Sequence, residues 1–133
     1  MNLLNRDTDY AVRALCHLAG QPEETLSVAQ LSPVLNVPHP YLRRILQTLA
    51  RADLLHSFRG KGGGFKLRRS PDDIRLTELI ELFQGNLSLT ECMAQGVPCR
   101  NHRHCKLRRT IKSIEGQALA TMDSTTIASL LRD

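Results

Sequence analysis

Apolar residues recur along this chain at helical spacing in six segments and alternate with polar residues in two. Ala11, Ala14, Leu15 and Leu18 fall at i, i+3, i+4 and i+7, one face of a first helix ending near Ala19. Asp7 or Thr8 is expected to cap it, and Gly20-Gln21-Pro22 to end it. Ser27 opens a second helix whose inner face is Val28, Leu31 and Leu35. Ser27 and Gln30 have capping-box spacing, so each side chain can satisfy a free N–H of the first turn. Pro33 lies inside this pattern and predicts a bend or an early end.

Asn36-Val37-Pro38 is a tight connection into a third helix. Pro40 suits its first turn, where a missing N–H costs nothing. Leu42, Ile45, Leu46 and Leu49 face inward, while Pro40, Arg43, Arg44, Gln47 and Arg51 fall on the opposite face. Two short helices, a short turn and a basic outer face predict a helix-turn-helix. Leu55 to Phe58 and Phe65 to Leu67 read as strands. Between them, Arg59-Gly60-Lys61-Gly62-Gly63-Gly64 predicts a tight hairpin. The run lacks the GxxxxGK[ST] pattern of a nucleotide-binding loop. A hairpin with cations at its tip, directly after such a helix, reads as a wing, and long cations suit a narrow minor groove or phosphates.

Thr77 is the expected cap of a fourth helix carrying Leu79, Ile80 and Phe83, which Gly85 ends. Residues 86–102 read as a polar loop. From about Arg103 a long helix is predicted to Met122, with Leu107, Ile111, Ile114 and Ala118 in a narrow seam suited to a second copy of the chain. Ser124 or Thr125 caps a final short helix with Ile127, Leu130 and Leu131.

Charge sharpens this picture. The formal net charge is +5. Residues 43–69 hold eight basic side chains (Arg43, Arg44, Arg51, Arg59, Lys61, Lys66, Arg68, Arg69) and one acid, Asp53, the footprint of a polyphosphate partner. No apolar run approaches the ~20 residues of a membrane span, and the N-terminus has no long apolar segment of the secretory kind. A cytoplasmic protein is expected, with no membrane partner. Serine, histidine and acidic residues form no recognisable nucleophile setting, so an enzyme is not expected.

Three of the four cysteines are clustered, as Cys92-x6-Cys99-x5-Cys105. Without a secretory signal, clustered cysteines point to metal or redox chemistry. Soft thiolates select iron–sulfur clusters, zinc or copper(I). Zinc needs a fourth ligand at tidy spacing, and His102 and His104 are crowded between Cys99 and Cys105. An iron–sulfur cluster more readily accepts a distant or non-cysteine fourth ligand. Cys16, alone in a helical apolar pattern, reads as core.

The chain resembles the Rrf2 family of winged-helix regulators, IscR-like and NsrR-like proteins among them. Residues 8–15 (TDYAVRAL) look like the family's opening helix, Tyr41-Leu42 and the leucines after them like its recognition helix, and residues 57–65 (SFRGKGGGF) like its wing. The three cysteines look like its cluster loop and residues 124–131 (STTIASLL) like its C-terminal signature. The resemblance implies a homodimer with crossed long helices, a palindromic double-stranded DNA site, and a cluster that senses redox state, nitric oxide or iron–sulfur status. It also implies Asp9 as fourth ligand, the position where NsrR-like regulators carry an aspartate. This sequence departs in its first intercysteine gap of six, in Arg108 where IscR-like proteins carry a ligand histidine, in His39 and Pro40 at the recognition-helix start, and in Arg43 in place of an acid.

The expected fold is mostly α: a winged helix-turn-helix with a small β-hairpin wing and a long C-terminal dimerisation helix. Residues 1–85 form the DNA-binding domain, 86–105 the cysteine loop, and 106–133 the dimerisation and C-terminal helices. His39, Tyr41, Arg43, Arg44, Gln47, Arg59 and Lys61 are the DNA-contact candidates. Cys92, Cys99, Cys105 and Asp9 are the metal candidates, for a [2Fe–2S] or [4Fe–4S] cluster. The rival is a zinc-stabilised or cofactor-free winged-helix repressor without cluster sensing.

Overall fold

A computed structural model describes residues 2–89, 93–94 and 97–131, with residues 93–94 and 97–98 described by backbone alone. Helix α1 spans Arg6–Ala19. Its cap is Asn5, one turn ahead of the expected Asp7 or Thr8: the Asn5 side chain accepts the Thr8 N–H at 2.8 Å. Thr8 is instead fully buried, its hydroxyl between Asn5 and Gln84 at 2.8 Å from each. The Asn5 N–H donates to the same Gln84 oxygen at 3.0 Å. An asparagine cap contributes about 0.5–2 kcal/mol; here it also ties the chain's first helix to residue 84.

Helix α2 (Val28–Leu35) has the predicted capping box between Ser27 and Gln30. Pro33 lies inside it, and the helix ends two residues later at Leu35, before Asn36, whose φ of 54° turns the chain left-handed. Helix α3 (His39–Arg51) carries Pro40 in its first turn. Leu42, Ile45, Leu46 and Leu49 are at most 1 % exposed and, with Leu15, Leu18, Leu31 and Leu54, form the centre of the core. Burying each such side chain contributes about 1.5–3 kcal/mol, so α3 cannot rotate without exposing the core.

Strands β1 (Leu55–Phe58) and β2 (Gly64–Leu67) pair antiparallel, with Leu55 opposite Leu67 and Phe58 opposite Gly64. Phe65 also exchanges backbone hydrogen bonds of 2.8 and 2.9 Å with Leu26, just ahead of α2. A Cβ at Gly64 would lie 2.4 Å from the Leu26 carbonyl oxygen, and one at Gly63 2.4 Å from that of Phe58. Only glycine lets the hairpin close and dock there.

A 3-10 turn (Pro71–Asp73) leads to α4 (Leu76–Gln84), which ends at Gly85. Thr77 does not cap it; it lies within the first turn, and its hydroxyl donates to Asp123 at 3.0 Å. Within the expected loop 86–102 the backbone forms two short antiparallel strands, β3 (Met93–Ala94) and β4 (Val97–Pro98). Helix α5 spans Lys106–Asp123, starting later than expected because Cys105 is its cap. Helix α6 (Ile127–Leu131) is capped by Thr126 rather than Ser124 or Thr125: Thr126 and Ser129 exchange backbone-to-hydroxyl hydrogen bonds of 2.9 and 3.1 Å. Buried Ile127 joins the core with α1. Backbone hydrogen bonds from Leu76 to Thr125 and from Ile127 to Ile74 clasp this end of the chain to the start of α4. The fold is the predicted mostly helical one with a two-stranded wing. No helix among the described residues is long and apolar enough to cross a membrane.

Candidate nucleic-acid interface and cysteine site

Two regions carry the candidate chemistry. The first is a cleft of about 870 Å³ between α3 and the wing. His39, Arg43, Gln47 and Arg51 form one wall, and Ser57, Phe58, Arg59 and Gly60 the other. Arg43, Gln47 and Arg51 are four residues apart, so they stack along one helix face. The eight cations of residues 43–69 divide in half. Arg44 meets Asp7 at 3.8 Å, Lys66 meets Glu23 at 3.8 Å, Arg68 meets Asp53 at 3.2 Å and Arg69 meets Glu78 at 2.5 Å. Arg43, Arg51, Arg59 and Lys61 have no ion pair among the described residues; the first three line the cleft and Lys61 stands at the hairpin tip.

Tyr41 and Arg44 belong to a neighbouring group. The Tyr41 hydroxyl donates to Asp7, which raises its pKa above the ordinary phenol value. Arg44 lies 4.7 Å over the Tyr41 ring, and Tyr10 meets that ring edge-on at 5.4 Å. The first turn of α1 thus braces the first turn of α3. The DNA-contact candidates left out two parts of this face. Arg51, already placed on the outer face of the third helix, is the i+8 partner of Arg43. The start of α2 (Ser27, Val28, Ala29) also borders the cleft, and only the packing of α2 across α3 brings it there.

The second region is the cysteine segment. Cys92 lies outside the described residues. Cys99 is exposed and Cys105 half-buried, both as free thiols. Met93, next after Cys92 in sequence, pairs with Pro98, next before Cys99. Backbone turns from His102 to Cys99 (3.0 Å) and from His104 to Asn101 (3.2 Å) coil the segment between Cys99 and Cys105. The Cys105 sulfur accepts the Arg108 N–H at 3.4 Å, the position a helix start offers to negative charge. The Arg108 Nε is buried without a hydrogen-bond partner among the described residues. Cys16 packs beside the core, and burial pushes its thiol pKa up.

Ahead of the cysteines, Glu115 of α5 is buried and accepts the Leu89 N–H and the Lys112 ammonium, each at 3.1 Å. The Leu89 hydrogen bond, and then Lys112, hold its carboxyl below the ordinary carboxylate range, against the upward push of burial. Asp9, the fourth-ligand candidate, pairs with Arg13 at 2.9 Å on the surface of α1. On α5 the expected seam splits. Leu107 and Ile114 are 69 % and 48 % exposed, whereas Ile111 and Ala118 are half-buried beside buried Glu115 and Met122.

Comparison with known proteins places these features. Residues 4–133 match the model of the Rrf2 family, described as an iron-dependent transcriptional regulator. The HTH-type transcriptional regulator NsrR of Geobacillus kaustophilus is 29% identical over 132 residues, covering 98% of this chain and 90% of the relative. The structure of CymR, the global cysteine regulator of B. subtilis, superposes with a TM-score of 0.78 at 26% identity, covering 98% of this chain and 97% of that one. IscR of T. potens shares the fold, with a TM-score of 0.75 at 24% identity over 96% of this chain and 85% of that one.

Proposed function

The chain belongs to the Rrf2 family of transcriptional regulators, and from that premise we propose that it binds a palindromic duplex as a homodimer and responds to a cluster held on Cys92, Cys99 and Cys105. The observation that carries the DNA reading is the division of cations: of the four left without an ion pair among the described residues, Arg43, Arg51 and Arg59 line the cleft and Lys61 stands at the hairpin tip beside it. His39, Arg43 and Gln47 are assigned to base edges in the major groove, where arginine reads guanine and glutamine reads adenine through paired hydrogen bonds. Arg51, Arg59 and Lys61 are assigned to phosphate and the minor groove. Arg44, held over the Tyr41 ring, flanks the phosphates. Tyr41 gives its one proton to Asp7 and therefore acts by fixing Arg44 and the helix start.

The donor set fits a thiophilic group: free thiols at Cys99 and Cys105, a coiled segment between them, and a buried guanidinium N–H with no partner. An iron–sulfur cluster would supply a centre reactive toward electrons, oxygen and nitric oxide. The chain's own residues connect that site to the DNA face. Cys105 caps α5, and Glu115 of the same helix holds Leu89 at the entry to the cysteine segment, so a shift of the thiols moves α5. Exposed Leu107 and Ile114 are assigned to the partner copy; a moving α5 then changes the spacing of two α3 helices. The chain divides functionally into residues 1–85, 86–105 and 106–133, the last reaching back through α6 onto α1. Asp9 as fourth ligand must release Arg13, which an exposed ion pair permits at a cost of about 0–1 kcal/mol.

The test is anaerobic purification with absorption spectroscopy, iron and sulfide analysis, and selection of a site from random duplexes. A brown protein selecting a palindrome is expected. A colourless zinc protein that selects the same site would remove the sensing reading and keep the DNA reading. Asp9→Ala should retain a cluster with an altered spectrum, and Cys99→Ala should lose it; an unchanged Asp9→Ala spectrum returns Asp9 to its pair with Arg13.

A further inference from the structure

We infer that Arg108 is the counter-ion of the thiolate-held cofactor and donates its Nε–H to one of that group's sulfur atoms, an inference that rests on the cysteine-ligand reading above. The guanidinium cannot shed its proton, so burial cannot be relieved by neutralisation as it can for lysine. Yet among the described residues the Nε has no acceptor and no carboxylate pairs with Arg108. Glu115, two turns along the same helix, is engaged by Leu89 and Lys112. Arg108 is half-buried with its Nε–H turned away from solvent and unmet, a state that an acceptor of negative charge would relieve.

The location says which anion. The backbone N–H of Arg108 donates to the Cys105 sulfur at 3.4 Å, and residues three apart share a helix face. The first turn of α5 contains Lys106, Arg108 and Arg109 and no acid. Cations at a helix start oppose the positive end of its dipole, so this turn is unfavourable alone and is relieved by negative charge beside it. A doubly charged metal or cluster core held by three thiolates carries one net negative charge. It is compact, sulfur-rich and bound at the residue that caps this turn. Hydrogen bonds and net charge at the sulfurs set the potential of such groups. One-electron reduction, by an added chemical reductant, converts one ferric to one ferrous iron with no bond made or broken. It adds negative charge that Arg108 stabilises.

The experiment uses the full chain reconstituted anaerobically with ferrous iron and sulfide, in wild type, Arg108→Gln and Arg108→Lys. The readouts are iron and sulfide content, far-ultraviolet circular dichroism and a mediated redox titration. In Arg108→Gln the midpoint should fall so that the reduced-to-oxidised ratio at fixed potential drops about tenfold, about 59 mV for one electron. Arg108→Lys, which keeps the charge, should recover most of the shift. If Arg108→Gln does not hold the cofactor through a titration, iron loss to a chelator is compared instead: about tenfold faster loss in Gln than in Lys is expected. Equal midpoints, or equal loss rates, in Gln and wild type overturn the counter-ion role while the cluster stands. A wild-type protein that takes up no iron and sulfide overturns the cluster reading and this inference with it.

Discussion

Two stretches of this chain are comparably basic, and they are built in opposite ways. Residues 43–69 carry eight cations and residues 100–112 carry six. In the first, half the cations are paired with acids; three of the rest line a cleft between a helix anchored by fully buried leucines and a hairpin bonded to Leu26, and the fourth, Lys61, stands at the hairpin tip. In the second, Lys112 alone has an ion pair among the described residues, and the cations sit on one helix end and the turns before it. Charge density does not separate the two; the scaffold does. A cleft walled by fixed elements suits the polymer proposed for it, whereas a helix start capped by a thiol suits the one compact anion proposed there.

The largest effect that would break this contrast comes from the scaffold. Leu46→Ala should cost about 2–5 kcal/mol of stability, because it opens a cavity under α3. Arg100→Ala should stay within about 0.5 kcal/mol, as a surface change does. Chemical denaturation of the two variants measures the difference, and equal midpoints would mean that α3 is not the anchored element.

Next comes the helix that joins the regions. Ile114→Asp should weaken dimerisation at least tenfold, about 1.4 kcal/mol, by placing an unpaired charge in the seam. Sedimentation over a concentration series reads it. A wild-type chain that is monomeric at micromolar concentration would remove α5 from the interface.

The two basic stretches are then compared on DNA. Arg43→Ala should lose about 1–3 kcal/mol on a selected site and relax preference at one base position. Lys61→Ala should weaken binding to all sequences and flatten the salt dependence by about one unit of slope. Arg109→Ala, from the second stretch, should leave that slope unchanged. A slope that falls for Arg109→Ala would make both stretches DNA contacts and erase the distinction drawn above.

The smallest effect is local and depends on pH. The Glu115 carboxyl is held low by the Leu89 N–H and by Lys112, so its stabilisation is complete above the ordinary carboxylate value of about 4.3. It is lost as the pH falls from there through the lowered folded value. The protection of the Leu89 amide against hydrogen exchange, relative to its intrinsic rate at each pH, should fall over that acid window in wild type and not in Glu115→Gln. Identical profiles would show that Glu115 does not hold the entry to the cysteine segment.

The winged unit was legible because its signals are periodic and local. The inner face of α3, the Ser27 and Gln30 box and the glycine-rich hairpin each follow from spacing alone. Two caps, those of α1 and α4, were misplaced where a partner distant in sequence decides them. Asn5 caps α1 because Gln84 holds its backbone, and Thr77 gives its hydroxyl to Asp123. The pairing of cations was hidden for the same reason: Asp7, Glu23 and Glu78 lie outside the basic window they neutralise. The short β3–β4 pairing has too few residues to alternate visibly, and the role of Cys105 as a helix cap is masked by its place in a cysteine motif.

The docking of α6 on α1 bears on how the protein is made. The apolar face of α1 is finished by Ile127, a residue synthesised more than a hundred positions after it. Contacts of such sequence separation form late, because the closure entropy of the intervening chain precedes any gain from them. A nascent chain that already contains α3 and the wing therefore still exposes part of the surface on which they rest. The proposed DNA face becomes dependable only once α6 has left the ribosome, so chains that stall or are clipped before Ile127 should be substrates for proteolysis rather than competitors for DNA.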